Sequence, residues 1–496
     1  MATKHHRAAG WPDQPVVLEI NTWVWLSELS STYRRRIDLG GIPTAAWDGG
    51  LLPGVDTVWL MGVWARSPAG TVIAHREPGV RAELEAALPD LTDEDIVGSP
   101  YSVRRYTVDS RLGGDRGLAA ARSALAERGI RLLVDYVPNH VARDHQWVTD
   151  HPEYLVSGTP DDLAGRPHDF VHIGGNVLAL GRDPYFPPWT DVVQLDAFAP
   201  GLRAATTATL QSIADRADGV RCDMAMLLLN DVFASTWGAL AGDAPETEFW
   251  QPVIDAVRDS HPGFLFIAEA YWDMEPQLLQ QGFDYCYDKR LYDRVVARDA
   301  AGLRAHLTAS VDFQRSMVRF LENHDEARSA ATLAGAFLRT AAVMVSTLPG
   351  ALLVYEGQAE GRRERPPVQL ARRPADDVDA DLRAFYARLF GWLASSRLRT
   401  GTWRLLDVDP PAPDVRADGL MAWSWHAGND RWVVVVNLAT DRLTGRVRLP
   451  FDDLGDGELV VSEALTDSEY RHDAAEVAAA GLYVSVDGGH FHILSV

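Results

Sequence analysis

The sequence predicts an α/β protein: a (β/α)8 TIM barrel with a subdomain inserted after its third strand and a C-terminal all-β sandwich domain. Three observations carry this. Short runs rich in β-branched and aromatic residues alternate with helix-length segments from residue 16 to about 357, the pattern of parallel strand–helix units. One interval, 141–200, is far too long for a simple crossover and is dense in Gly, Pro and aromatic residues. From about residue 405 the pattern changes to short alternating strands separated by Asp, Gly and Asn turns, as in an antiparallel sandwich. The chain therefore divides into a barrel over 1–140 and 201–400, an inserted subdomain over 141–200, and a β domain over 401–496.

The elements follow in order. VVLEINTW (16–23) and VDTVWLM (55–61) read as buried strands. The stretch after Met61 shows no clear period. Residues 115–128 form a helix that Gly129 stops. IRLLVDYVPNH (130–140) is a third strand running into a polar tip. Residues 199–216 carry Leu202, Ala205, Leu210 and Ile213 at helical spacing, and GVRCDM (219–224) follows as the fourth strand. In a strand, Arg221 and Asp223 face the same side, and a charge pair on a buried face is costly unless compensated or used. Helix 247–260 leads to strand FLFIAEA (264–270), then GFDYCYD (282–288). A helix is expected over 291–309, with a break at Gly302. SMVRFLENHD (316–325), an apolar helix over 331–347 and ALLVYEG (351–357) complete the set. Residues 358–380 read as a polar, Arg- and Pro-rich loop, and helix 381–397 leads to the β domain.

Composition narrows the function classes. Lys and Arg total 47 against 69 Asp and Glu, a net charge of −22, which disfavours nucleic acid and anionic membranes as partners. No apolar run reaches the roughly 18 residues a membrane helix needs. MATKHHRAAGWPDQP lacks the apolar core of a secretory signal. Cys222 and Cys286 make no disulfide framework and no metal spacing. A cytoplasmic protein is expected. Sixteen Trp residues suit either core filling or a groove with flat walls.

Four polar tips fall where barrel strands end: Asp135 with Asn139 and His140; Arg221 with Asp223; Glu269; and Asn323, His324 and Asp325. Barrel active sites form at these C-terminal strand ends, so three carboxylates, an arginine and two imidazoles are expected at one mouth. That set suits glycoside hydrolysis. One carboxylate attacks the anomeric carbon while a protonated one serves the leaving oxygen, and a neighbouring arginine keeps the nucleophile ionised.

DYVPNH (135–140), GVRCDMAM (219–226), Glu269 in FIAEAYW (266–272) and FLENHD (320–325) resemble the four ordered motifs of the α-amylase family, glycoside hydrolase family thirteen. Any one motif is weak; four in order at barrel-compatible spacing are specific. The resemblance implies Asp223 as nucleophile, Glu269 as acid/base and Asp325 as transition-state stabiliser. It implies substrate-binding roles for Arg221, His140, His324 and Asp135, with Asp135 supporting Arg221. Tyr101 matches, more loosely, a tyrosine stacking on the sugar. An α-glucan or α-glucoside substrate follows, with hydrolysis, or alternatively transfer or isomerisation, through a covalent intermediate. A non-catalytic carbohydrate-binding relative is a third reading, which the intact carboxylate trio opposes.

Two departures stand out. Met226-Leu227 replaces a common Lys-His pair, so no metal or other cofactor is expected to be required. Calcium stays in view only because Asn139 matches a frequent ligand and Asp183 and Asp191 lie in the insertion. Arg362, Arg363 and Arg365 after the eighth strand form either a rim ion-pair cluster or a site for a charged substrate group. Trp64, Tyr185, Phe186, Trp189, Tyr271 and Trp272 are candidate groove or packing aromatics.

Overall fold

The structure, a computed structural model, describes residues 8–451, 453–466 and 468–496. The first seven residues of the stretch read above for a leader therefore lie outside the described residues. Eight parallel strands close into a barrel: β1 (Val16–Asn21), β2 (Thr57–Met61), β3 (Arg131–Tyr136), β4 (Gly219–Cys222), β5 (Leu265–Ala268), β6 (Tyr285–Tyr287), β7 (Met317–Arg319) and β8 (Ala351–Tyr355), each hydrogen-bonded to its neighbours in sequence. The strand period of two explains the interior. Val17, Trp59, Leu133, Leu265, Tyr285 and Val318 form an inner apolar cluster. One pleat further toward the C-terminal ends, the inward positions are Glu19, Asp135 and Arg221, with Arg221 in register with Asp135. Gly219 is small for a reason: a Cβ there would meet Leu133 and Leu265 at 2.7 Å.

The observed barrel strands are shorter than the sequence suggests. Strand seven is three residues, and Phe320–Asp325 is loop. His140 leaves the barrel and opens a second sheet, in which His140–Ala142, Trp189–Gln194, Asn176–Gly181 and Phe170–Ile173 pair antiparallel. The stretch after Met61 holds two helices, α1 (Pro68–Arg76) and α2 (Pro78–Ala87), capped by the side chains of Ser67 and Glu77. Both are short and start at proline, which hides a helical period. The expected break at Gly302 lies earlier: Arg298 has a φ of 53° and Asp299 caps the second helix.

The C-terminal residues form a six-stranded and a three-stranded sheet, with one helix, Ala474–Ala480, that the strand pattern did not announce. They join the barrel through Trp425, whose indole N–H donates to Thr347 O at 2.7 Å, and through Thr340, whose hydroxyl donates to Gly489 O at 2.6 Å. Among the described residues no helix is long and apolar enough to cross a membrane.

Candidate active site

Asp223 and Glu269 lie one residue beyond β4 and β5. The ladder carries on past each strand: Asp223 N–H donates to Tyr136 O at 2.8 Å and Glu269 N–H to Cys222 O at 3.0 Å. This aims both carboxylates over the barrel mouth. Arg221, 1% exposed, sits between them, with Nη1 2.5 Å from Asp223 Oδ1 and Nη2 2.9 Å from Glu269 Oε2. Asp325 Oδ2 is 3.9 Å from the same guanidinium. The rings of Trp59, Tyr101 and Tyr287 surround that cation at 5.4–5.7 Å. Met224 has a φ of 43°, rare for a residue with a side chain. That turn delivers its N–H to Glu269 Oε2 at 2.6 Å.

The NHD loop is built on Asn323. Its Oδ1 accepts from the backbone N–H groups of Asp325 and Glu326 at 2.9 and 2.8 Å, and Glu322 pins the loop to Arg328 and Ser329. The loop sends His324 inward, where Nδ1 meets Glu19 Oε1 at 2.5 Å and Nε2 meets Asp325 Oδ2 at 2.9 Å. The Tyr101 hydroxyl lies 2.6 Å from Nε2, and its ring stacks on the imidazole.

These contacts set the protonation states. Burial, with Asp223 and Asp325 nearby, lifts Glu269 to about 7 against the pull of Arg221. Burial also raises Asp223, opposed by Arg221. For Asp325, desolvation works upward, but His324 and then Arg221 outweigh it and bring the carboxyl down to about 2. Burial disfavours a charged His324, yet Asp325 and Glu19 together raise it well above an ordinary histidine. His140 has no such partner, and burial lowers it to about 4.

A cavity of about 790 Å³ opens over this cluster, with Tyr101, His140, Asp223, Glu269 and Asp325 in its wall. The other three residues expected to bind substrate stand behind that wall. Arg221 and His324 are buried under the carboxylates they hold. Asp135 is buried too, with Oδ2 accepting from Gly62 N–H at 2.8 Å. Gly62 has a φ of 77°, which a side chain would oppose. Asp135 lies in register with Arg221 but makes no hydrogen bond to it among the described contacts. It acts on Arg221 through charge, and burial raises it to about 6. Trp64, a groove candidate in the sequence, is 1% exposed and donates its indole N–H to Asp135 O. Phe186, Trp189, Tyr271 and Trp272 do line the cavity.

One member of the cluster escapes a reading of the sequence, and Tyr271, a candidate aromatic there, makes a contact the sequence does not announce. Glu19 is a lone carboxylate at an inward position of an apolar strand, which is the one signal for it. The Tyr271 hydroxyl donates to Glu269 Oε1 at 2.8 Å. The arginine-rich loop is held at the rim by ion pairs and backbone carbonyls: Arg362 bonds Asp376 O and faces Glu28 at 3.8 Å, Arg363 bonds Ala330 O, and Arg365 faces Glu83 at 3.4 Å and donates to His324 O at 3.4 Å.

The residues around Asn139 are the ones the sequence offers for a cation. Asn139 Oδ1, Asn139 O and Leu195 O converge at 2.9–3.0 Å, but on a single nitrogen, Nε2 of Gln194. Asp183 is engaged with the N–H groups of Tyr185 and Phe186. A hard cation takes six to eight oxygens; here an amide donor occupies their focus, so these residues do not fit one. Among the described residues no three His, Cys, Asp or Glu side chains cluster for a metal.

Fold and site together define a (β/α)8-barrel protein with three carboxylates around one arginine at its strand ends. No protein-family model matches the chain. It is 25% identical over 379 residues to α-amylase MalA of Haloarcula japonica, covering 75% of this chain and 51% of that protein. It is 20% identical to α-amylase 3 of Dictyoglomus thermophilum, covering 58% of each. The chain thus spans about half the length of the curated relatives it matches. The noncanonic maltogenic α-amylase AmyB of Thermotoga neapolitana shares the fold with a TM-score of 0.66 at 19% identity, over 97% of this chain and 98% of that one. The chain is thus similar in sequence to α-amylases over part of their length and shares the fold of α-amylase structures.

Proposed function

We propose that the protein is a retaining α-glycosidase acting on α-glucans or α-glucosides through a covalent glycosyl-enzyme intermediate. The observation that carries this is the buried guanidinium holding Asp223 and Glu269 together while Asp325, paired with His324, faces the cavity. Retention needs the two carboxyls about 5–5.5 Å apart, with no room for water between them, and two carboxylates gripped by one fork suit that spacing. Asp223 attacks the anomeric carbon as Glu269 protonates the leaving oxygen. Glu269, now a carboxylate, takes a proton from the water that opens the glycosyl ester. A pKa of about 7 lets one group do both near neutrality. Asp325, ionised at any working pH, faces the positive charge that develops on the sugar ring.

The same trio serves transfer when a sugar hydroxyl replaces water. Incubation with maltooligosaccharides, following glucose release and chain redistribution, separates hydrolysis from transfer. A 5-fluoroglycosyl fluoride should label Asp223, as read by peptide mass; label on another residue, or no turnover of any α-glucoside, overturns the assignment. The reading includes no required cofactor, no nucleic-acid or membrane partner, and a cytoplasmic setting, supported by two buried, unpaired cysteines and the acidic charge.

A further inference from the structure

The cavity rim differs on its two sides. Glu269 must face the leaving oxygen, so the leaving group lies on the side of Tyr271 and Trp272. The sugar that becomes bonded to Asp223, and any chain attached to its non-reducing end, extends the opposite way, past Tyr101 and Asp325. There the loops after β2 and β8 are stitched together. Val97 N–H donates to Gln369 O and Ala371 N–H to Asp95 O, both at 2.8 Å, and Ile96 pairs with Leu370 as an antiparallel bridge. Arg372 forks onto Asp95 at 2.6 and 3.0 Å and reaches Asp90 at 3.0 Å. Arg66, buried behind the joint, donates to Val368 O at 3.0 Å.

Beneath these bonds Ala74, Leu84, Leu88, Ile96 and Leu370 form a buried apolar cluster of their own. This is a packed wall rather than a loose flap. Toward the cavity it presents mainly the aliphatic side chains of Ile73, Ala74, Val80 and Val368, with Ser99 and Gln369 as the polar groups beside them. The leaving-group side is built otherwise. Tyr185 and Phe186 are 68% and 69% exposed, and Tyr185 meets Trp272 edge-on at 4.8 Å. Amphipathic rings that stay in solvent suit a chain passing outward.

We propose that this wall ends the cavity on the non-reducing side, so that the enzyme takes free non-reducing ends of α-glucooligosaccharides and removes short units from them, without cleaving inside a chain. The proposal rests on the glycosidase reading and names the substrate class of that same site.

The test compares a chromogenic maltoheptaoside with a free non-reducing end and the same compound with its terminal O4 and O6 closed by an ethylidene group. The free substrate should lose units from its non-reducing end; the closed one should react at least a hundredfold more slowly. Comparable rates, or internal products from the closed substrate, overturn the proposal and leave the glycosidase reading standing. Calorimetry with Glu269→Gln removes turnover from the question. That variant should bind the free compound and not the closed one, and equal binding counts against the wall. If neither compound is cleaved or bound, the glycosidase reading fails and takes this one with it. Arg372→Ala, which loosens the joint, should raise the relative rate on the closed substrate at least tenfold; an unchanged ratio removes the wall as the cause.

Discussion

Two buried arginine–carboxylate clusters sit in this one barrel, and they do opposite things. Arg319, on β7, points outward between strand and helices. It bonds Asp288, and it donates to Gln314 O at 3.1 Å and Pro349 O at 2.9 Å. Asp288 also accepts from Leu291 N–H and meets His306 at 2.9 Å. One cation answers one carboxylate, and backbone carbonyls and an amide take the spare donors. Arg221 points inward, and one cation answers three carboxylates, with a second cation, His324, shared between Asp325 and Glu19. A balanced buried cluster locks neighbouring elements together. A cluster with surplus negative charge holds at least one proton near neutrality, and that proton is the chemistry.

The comparison breaks most sharply at the nucleophile. Asp223→Asn should lose on the order of 10⁴-fold or more in rate on every substrate. Glu269→Gln should lose about 10²–10⁴-fold on glucan but keep its first step on an aryl glucoside with an acidic phenol, which leaves without a proton. Added azide should rescue that variant, since a small anion needs no general base. Identical responses from the two variants to leaving group and azide would mean the roles are misassigned.

Stability should divide the clusters the other way. Asp288→Asn strips the single counter-charge from a buried arginine, a change worth about 3–5 kcal/mol of destabilisation, so the melting temperature should fall steeply. Glu269→Gln removes a surplus charge. The raised pKa of Glu269 means its contribution to stability is complete below its ordinary value of 4.5 and lost as pH rises through about 7. Its ionisation costs up to about 3 kcal/mol by the size of that shift. The variant should therefore melt at or above the parent at pH 8, and the gain should vanish at pH 4.5. A fall in melting temperature at pH 8 would show that the Met224 and Tyr271 hydrogen bonds matter more than the repulsion.

The pH profile sharpens the point further. Activity should fall about tenfold per unit above pH 7 as Glu269 loses its proton. Tyr271→Phe removes a donor that favours the carboxylate, so this alkaline limb should move upward with kcat little changed at pH 6. A limb that stays in place would assign it to another group.

The smallest expected effect is at Gln194. With an amide donor at the focus of three oxygens, EDTA should leave activity and melting temperature unchanged. A calcium-reversible loss of melting temperature would overturn this, because a ligand bound only to the folded state stabilises it.

The eight-strand order, the long excursion after β3 and the four strand-end motifs were legible because they are local: period-two patterning, helix stops and a few charged residues closing apolar runs. Asp223 and Glu269 meet in one cavity wall because each lies next to a strand end whose position the pattern gives, and His140 and Asp325 reach it from the segments that follow β3 and β7. What the sequence left undetermined depends on contacts between distant segments. Glu19 looks like one charge in an apolar strand until β1 closes beside β8 and faces His324 from the far end of the chain. Asp135 and Arg221 read as substrate ligands, yet the inward pleat buries them behind the residues that line the cavity. The helices α1 and α2 carry too few apolar residues between prolines to show a period, and their joint to residues 365–372 spans nearly three hundred positions. Strand ends are set by local pattern; the reach, protonation and boundaries of a site are set by which surfaces exclude water from one another, and only the closed barrel decides that.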